Sequence, residues 1–193
     1  MNFFGVSSVY DMGAGVGQFQ TFSSKYPVKV TSFDGGNNIE NIWGMQVDFD
    51  QRHNPDRKIT GKYIVPGNIC WIDAGKPLSV ELDKKDWVLS IEVGEHIAEE
   101  NEGQFLDNLV KLAKKGVVLT WAVEGQPGVK HINNHDNDYI IEQMTKRGLK
   151  YDMPQSMYFR KTVKWWPWLR DTIMVFRFEK EEDGGDEGEE GID

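Results

Sequence analysis

The chain has one cysteine in 193 residues, Cys70. No intrachain disulfide can form, so a bridge-stapled scaffold is excluded and a reducing compartment, the cytoplasm, is expected. No apolar run approaches the ~20 residues that cross a bilayer. The start shows no basic segment leading into a long apolar one. Neither a membrane span nor a secretory signal is therefore expected. Positive charge is also scarce: 22 Lys and Arg stand against 31 Asp and Glu, for a net charge of −9. That balance argues against a nucleic-acid partner.

The acidity is local. Residues 179–193, EKEEDGGDEGEEGID, hold nine acids and one Lys; subtracting their −8 from −9 leaves −1 for residues 1–178. A segment so charged and so poor in apolar residues cannot bury a core. It is read as a disordered acidic tail, 179–193, behind one globular domain, 1–178. Nothing in the sequence indicates the oligomeric state.

Within the domain, strand-like and helix-like stretches alternate, which predicts an α/β fold with a largely parallel sheet. A strand over Ser7–Asp11 precedes a helix carrying Phe19, Phe22 and Tyr26, with Pro27 as its stop. Val28–Phe33 reads as a second strand and Asn68–Asp73 as a third. Asn37 or Asn38 could cap a short helix through Trp43. The polar stretch 48–68 reads as a loop or insertion. Asp86–Val93 is apolar enough for a central strand. Phe105, Leu106, Leu109, Val110, Leu112 and Ala113 mark one face of a helix, with Gly116 expected at its C-terminal cap. Val117–Val123 is expected as a fifth strand. A loop over 124–137 leads to a helix with Tyr139, Ile140 and Met144, stopped at Arg147-Gly148. Thr172–Glu179 closes the domain as a strand.

The stretch VYDMGAGVGQF, Val9–Phe19, places three alternating glycines between the first strand and the first helix. Glycines let the backbone bend sharply and let a ligand lie against it, and the helix offers free N–H groups. The dinucleotide pattern G-x-G-x-x-G needs a third glycine where this chain has Gln18. An oxidoreductase that uses a nicotinamide cofactor is thereby disfavoured. An acidic residue about 20 positions on, Asp34, suits a ribose diol in either kind of site.

Asp11-Met12-Gly13-Ala14-Gly15-Val16-Gly17 resembles the D-x-G-x-G-x-G motif of class I S-adenosylmethionine-dependent methyltransferases. DWVLSIEVGEH, Asp86–His96, is similar to the end of the fourth strand in their small-molecule members. The D/N-P-P-Y/F motif of adenine- and cytosine-modifying members is missing there. Leu119–Asp152 resembles a subgroup with a W-A-x-x-G-Q-x-G-x-x-H-x-N loop. The likeness runs from about Val9 to Phe178. It implies a Rossmann-like seven-stranded, mostly parallel sheet with an antiparallel last strand and helices on both faces. It also implies S-adenosylmethionine as cofactor and methyl transfer to O or N of a small molecule. The implied cofactor contacts are Asp11, Gly13, Ala14, Gly15, Gly17, Asp34, Gly35, Asp73 and Glu92. Asp73 falls near the adenine amino group, unless it is simply a turn residue. A non-catalytic binding or scaffold protein on the same fold is the alternative. Members of the family usually carry N-terminal helices over the acceptor. Here only about six residues precede the first strand, so an open site, a cover made by 48–68 or by a partner, or a fragment is expected.

A base must take the proton of a hydroxyl or ammonium acceptor, and histidine suits that near neutral pH. His96 is the first candidate, with Glu95 either orienting it or facing solvent. His131 is the candidate for substrate contact. His96, His131, His135 and Asp136 could in principle make a metal site. The H-x-x-x-H spacing fits a helix face, however, and this segment reads as a loop, so no metal is expected. RKTVKWWPWLR, Arg160–Arg170, mixes basic residues with three Trp. It is read as a connection between the last two strands that walls the substrate pocket, rather than as a nucleic-acid or membrane surface.

Overall fold

A computed structural model describes residues 5–36, 41, 44, 46–48, 62–64, 69–163 and 166–179. The elements in chain order are β1 (Ser8–Met12), α1 (Gln18–Ser23), β2 (Lys29–Asp34), β3 (Gln46–Asp48), β4 (Lys62–Ile64), β5 (Cys70–Trp71) and β6 (Lys85–Ser90). A 3-10 turn over Gly94–His96 follows, then α2 (Glu99–Leu112), β7 (Ala113–Leu119), α3 (Asn137–Lys146), β8 (Leu149–Tyr151), α4 (Met153–Thr162), α5 (Pro167–Thr172) and β9 (Met174–Phe178).

Seven strands form one sheet in the order β5-β2-β1-β6-β7-β9-β8, and β3 pairs with β4 apart from it. β1 lies parallel to β2 on one side and to β6 on the other. β6 is parallel to β7, whereas β9 runs antiparallel to both β7 and β8. The expected mostly parallel sheet with an antiparallel last strand is therefore present. The connection order reverses at β1 and β6, the crevice where open α/β sheets bind ligands.

The core follows the pattern of the sequence. Phe105, Leu106, Leu109 and Leu112 of α2 are buried against Val88, Val117 and Phe176 of the sheet. Three acidic residues in the first turn of α2 suit its N-terminal dipole. α3 stops where expected, with Gly148 at φ 82.

Several expectations need correction. Two residues of the expected stripe stay out of the core: α1 ends at Ser23, and Phe19 and Tyr26 are exposed. Two helical turns stopped by the turn before Pro27 are too short to carry a three-residue stripe. Gly116 does not cap α2. The helix passes directly into β7 at Ala113, and Gly116 lies within that strand, opposite Trp87 and Arg177. β7 also starts and ends earlier than the Val117–Val123 run suggested. Its last sheet bond is Thr120 N–H to Ser90 O, after which the chain turns out along the edge. The third strand contracts to Cys70–Trp71 at the sheet edge. The stretch 48–68 includes the end of β3 at Asp48 and all of β4; its remainder, most of the helix expected through Trp43 and the tail beyond Glu179 lie outside the described residues. α4 and α5 occupy the connection between β8 and β9, with Asp152 capping α4 by accepting from Gln155 N–H. No helix among the described residues is long and apolar enough to cross a membrane.

Gly116 is required by packing. A Cβ there would lie 2.0 Å from the Phe176 carbonyl oxygen and 2.7 Å from the Trp87 ring. The indole covers the bare backbone, and the Arg177 guanidinium stacks on it at 4.9 Å. Gly116→Ala is expected to cost more than about 2 kcal/mol through overpacking of two backbones held in register. Urea unfolding measures this as a lower midpoint at unchanged slope; an unchanged midpoint would refute the packing account.

Candidate active site at the carboxyl edge of the sheet

Every parallel strand of the β5-β2-β1-β6-β7 run points its C-terminal end to the same edge, and the candidate residues follow those ends. After β1 the chain turns through Gly13, Gly15 and Gly17 at φ 83, 53 and 72, conformations that non-glycine residues adopt only at a cost. The amides of Gly13 and Ala14 both donate to Phe33 O, at 2.8 and 2.9 Å. Gly13 has a second reason to be glycine: a Cβ would sit 2.2 Å from Val93, the residue that follows Glu92. At Gly15 a Cβ would meet nothing within 4 Å. Its backbone therefore faces open space, the requirement for a close ligand.

Asp34, at the end of β2, braces this turn. One carboxylate oxygen accepts from Gly15 N–H and the other from Gly36 N–H, both at 2.7 Å. An ionised carboxylate can accept about four hydrogen bonds, so lone pairs remain for a ligand. Gly35 follows beside Ile72 O. Asp73 is exposed and accepts from Gly75 N–H at 3.1 Å, the turn arrangement allowed for it, two residues past β5. Asp11 lies buried beneath the glycines, and its Oδ2 has no hydrogen-bond partner. Burial, reinforced by the nearby Asp34 charge, pushes its carboxyl up to about 7.

β6 delivers the second half of the site. Glu92 adopts φ 58, a strained conformation for a side chain of its size. Thr120 holds it on both sides: the hydroxyl accepts from Glu92 N–H and donates to Glu92 Oε1, each at 2.8 Å. Burial raises the Glu92 carboxyl above its ordinary range, with that hydrogen bond and the charges of His131 and His96 opposing the shift. Gly94 lies under the Trp121 ring, where a Cβ would approach to 2.1 Å.

Glu95 neither orients His96 nor faces solvent. It is fully buried, and no side chain hydrogen-bonds its two carboxylate oxygens. Burial pushes its carboxyl up to about 7; the backbone amides of Glu95 and Ala122 oppose the shift and the Glu92 charge adds to it. Its nearest ionisable partner is His131, whose Nε2 lies 4.0 Å from Glu95 Oε1. His96 is exposed, with Nδ1 2.9 Å from Lys130 O. Its ring meets that of His131 edge-on at 5.0 Å. Glu95, His96 and His131 each offer one ligand atom, all within 4.8 Å of one another.

The loop that supplies His131 is fixed by a buried knot. Glu95 O accepts from the amides of Ile132 and Asn133. Trp121 Nε1–H donates to Asn133 O at 2.6 Å. Glu102 accepts from Asn133 Nδ2 and from the Tyr139 hydroxyl, and pairs with His135 Nε2 at 2.9 Å. His135 also stacks on Tyr139 at 4.0 Å, and Asp136 accepts from Glu124 N–H. These two residues thus hold the loop and stand apart from the cluster of three. The Asp171 carbonyl of α5 accepts from Asn137, which sets the Trp-rich connection beside the same loop; residues 164 and 165 lie outside the described set. Thr120, Val93 and the Lys130 carbonyl were not singled out from sequence. Only the left-handed backbone of Glu92 and Lys130 marks their roles, and it leaves no trace in residue type.

No protein-family profile matches the chain. No curated protein matches it by sequence. Solved structures match by fold, and that fold is the one of class I methyltransferases. Magnesium protoporphyrin IX methyltransferase from Synechocystis, with S-adenosylhomocysteine bound, aligns at TM-score 0.57 and 14% identity over 89% of this chain and 74% of that one. An O-methyltransferase from a polyketide multienzyme of Brevibacillus brevis, also with S-adenosylhomocysteine, aligns at 0.54 and 16% over 92% and 67%. The 4+2 cyclase SpnF aligns at 0.56 and 12% over 91% and 76%.

The buried acids make stability depend on pH. Both Asp11 and Glu95 are raised in the folded chain, so the stabilisation they give is complete below their unfolded values. It is lost as pH rises through about 7. Urea midpoints are therefore expected to fall between about pH 4 and pH 7.5. Asp11→Asn and Glu95→Gln should flatten that fall, with the variants gaining on the wild type at pH 8. Parallel pH profiles would count against both burials.

Proposed function

We propose that this protein is an enzyme that transfers a methyl group from S-adenosylmethionine to an oxygen or nitrogen of a small molecule. The observation that carries the reading is the left-handed Gly13-Gly15-Gly17 turn. It opens at Gly15, is braced by Asp34, and lies at the strand-order reversal of a class I methyltransferase fold. The residues fit the cofactor. Gly13, Ala14, Gly15 and Gly17 leave room for its methionine and ribose, and Asp34 and Gly35 border the ribose hydroxyls. Asp73 reaches toward the adenine. Asp11, a buried acid with an unpartnered oxygen, suits the ammonium of the methionine moiety, and Glu92 borders the sulfonium side. Bound there, S-adenosylmethionine supplies an electrophilic methyl carbon.

The remaining work is alignment and proton removal. Lys130 O takes the Nδ1–H of His96, which leaves Nε2 with a free lone pair for the acceptor's proton. His131 and the loop it belongs to hold the acceptor side. One bound-cofactor neighbour is named for methylation of a porphyrin and the other comes from a polyketide multienzyme, and this supports a small-molecule acceptor. We assign methyl transfer to residues 1–178, treat 179–193 as an acidic tail, and place the reaction in the cytoplasm on the strength of the lone, exposed Cys70.

A second reading keeps the cofactor fold without methyl transfer. It is favoured by one observation: the fold also matches a protein named for cyclisation.

Isothermal titration with S-adenosylmethionine and S-adenosylhomocysteine is expected to show one site. Gly15→Arg should weaken both by at least about a hundredfold, ~2.7 kcal/mol, by filling the space over the turn. No binding to the wild type would sink the proposal. Across a panel of hydroxyl and amine acceptors, His96→Ala should leave cofactor affinity intact and lower turnover by about 10²-fold or more. Binding without turnover on every acceptor would favour the second reading.

A further inference from the structure

We propose that Glu95, His96 and His131 bind a divalent transition-metal ion, and that this ion is the acceptor-activating group of the site. Three features of the cluster converge on this.

The first is donor chemistry. Two imidazoles and one carboxylate form a set that takes zinc and neighbouring first-row ions while leaving coordination positions open. The ligand atoms lie within 4.8 Å of one another. Ligands about 2.1 Å from a shared ion lie at most about 4.2 Å apart, so the set closes with a small rotation of the exposed His96.

The second is Glu95 itself. It is fully buried, and no side chain hydrogen-bonds either oxygen; only the backbone amides of Glu95 and Ala122 ease its burial. A buried carboxylate without a side-chain partner is costly. At 4.0 Å its separation from His131 Nε2 is too long for a hydrogen bond. An acid–imidazole dyad is therefore not formed, whereas a cation between the two would satisfy both. Glu92, held by Thr120, lies near enough for its charge to act on Glu95.

The third is orientation. Metal-bound histidine commonly donates its other ring N–H to a backbone carbonyl or carboxylate. His96 has that partner in Lys130 O at 2.9 Å, and Lys130 adopts φ 59 at that point. A strained residue fixes the tautomer that leaves Nε2 free. The free nitrogen is a ligand while the ion is bound and the base of the methyl-transfer reading when it is not.

The ion's open positions would take an oxygen of the acceptor. A bound hydroxyl gives up its proton to bulk water more readily, which selects oxygen over nitrogen acceptors. This last step rests on the methyl-transfer reading; binding of the ion does not.

The experiment titrates chelator-stripped full-length protein, without cofactor, with Zn²⁺, Co²⁺ and Mg²⁺. One Zn²⁺ per chain is expected, at least a hundredfold tighter than Mg²⁺, and Co²⁺ should give a visible absorption band. His96→Ala, which removes an exposed ring, and His131→Ala should each weaken Zn²⁺ by tenfold or more and abolish the band. Glu95→Gln should do the same with its thermal midpoint checked. Absence of Zn²⁺ binding, or binding that survives His96→Ala and His131→Ala, would overturn the inference. S-adenosylhomocysteine titrated in parallel separates the two proposals: a protein that binds it but no ion retains the methyl-transfer reading with His96 as the base.

Discussion

The site is organised around the contact between the Trp121 ring and the bare backbone of Gly94. The indole occupies the space where a side chain on residue 94 would lie, and its Nε1–H reaches across to Asn133 O. One rigid side chain thereby joins the turn after β6 to the loop after β7. Everything of chemical interest on that side hangs from one of these two segments. Glu92 and Glu95 flank Gly94, His96 follows, and His131 precedes the residue whose carbonyl Trp121 holds by two positions. Because aromatic side chains have few rotamers, the spacing among these groups is set by packing and needs little adjustment by a ligand.

The two halves of the site differ in how they resist strain. The glycine half uses residues for which left-handed backbone costs little. The acidic half uses Glu92 and Lys130, for which it costs of order 1–3 kcal/mol each. At Glu92 the hydroxyl of Thr120 satisfies both the amide and the carboxylate. At Lys130 the neighbouring Gly128 gives the chain room beside the His131 ring. Val93 bridges the halves, since its side chain takes the volume that Gly13 leaves open.

Most of the sheet and its ligand edge were legible because they depend on local chemistry. A glycine turn after an apolar strand, an acid at the end of the next strand, and an apolar run over Asp86–Ser90 each reflect a requirement of a few neighbouring residues. The parts that were not legible depend on distant partners. Gly116 looked like a helix stop because a glycine after an amphipathic stripe usually is one. Only the pairing of β7 with β6 and β9 shows that Trp87 needs the space. α4 has no clear apolar stripe, so periodicity gave no signal there, although Asp152 and Pro154 are sound helix-start residues. β3 and β4 are three residues each, shorter than any pattern can reveal. Sequence spacing shows the position of Glu95 along the turn but not its burial, so an orienting and a solvent-facing role look alike there.

One feature of the scaffold bears on how such a chain can change over generations. α2 ends at Leu112 and β7 begins at Ala113, with no residue between them. In a helix, one added residue rotates everything beyond it by about 100°; in a strand, it exchanges the two faces. Only the register shift that pairs Lys85 with Ala113 and Trp87 with Gly116 could absorb an insertion or deletion at this junction. Elsewhere the change would propagate. It would either turn the buried stripe of α2 away from the sheet or swap the inward and outward residues of β7, carrying Thr120 and Trp121 with them. Changes of length are accordingly expected to be tolerated at other joints, and this seam acts as a fixed point of the fold.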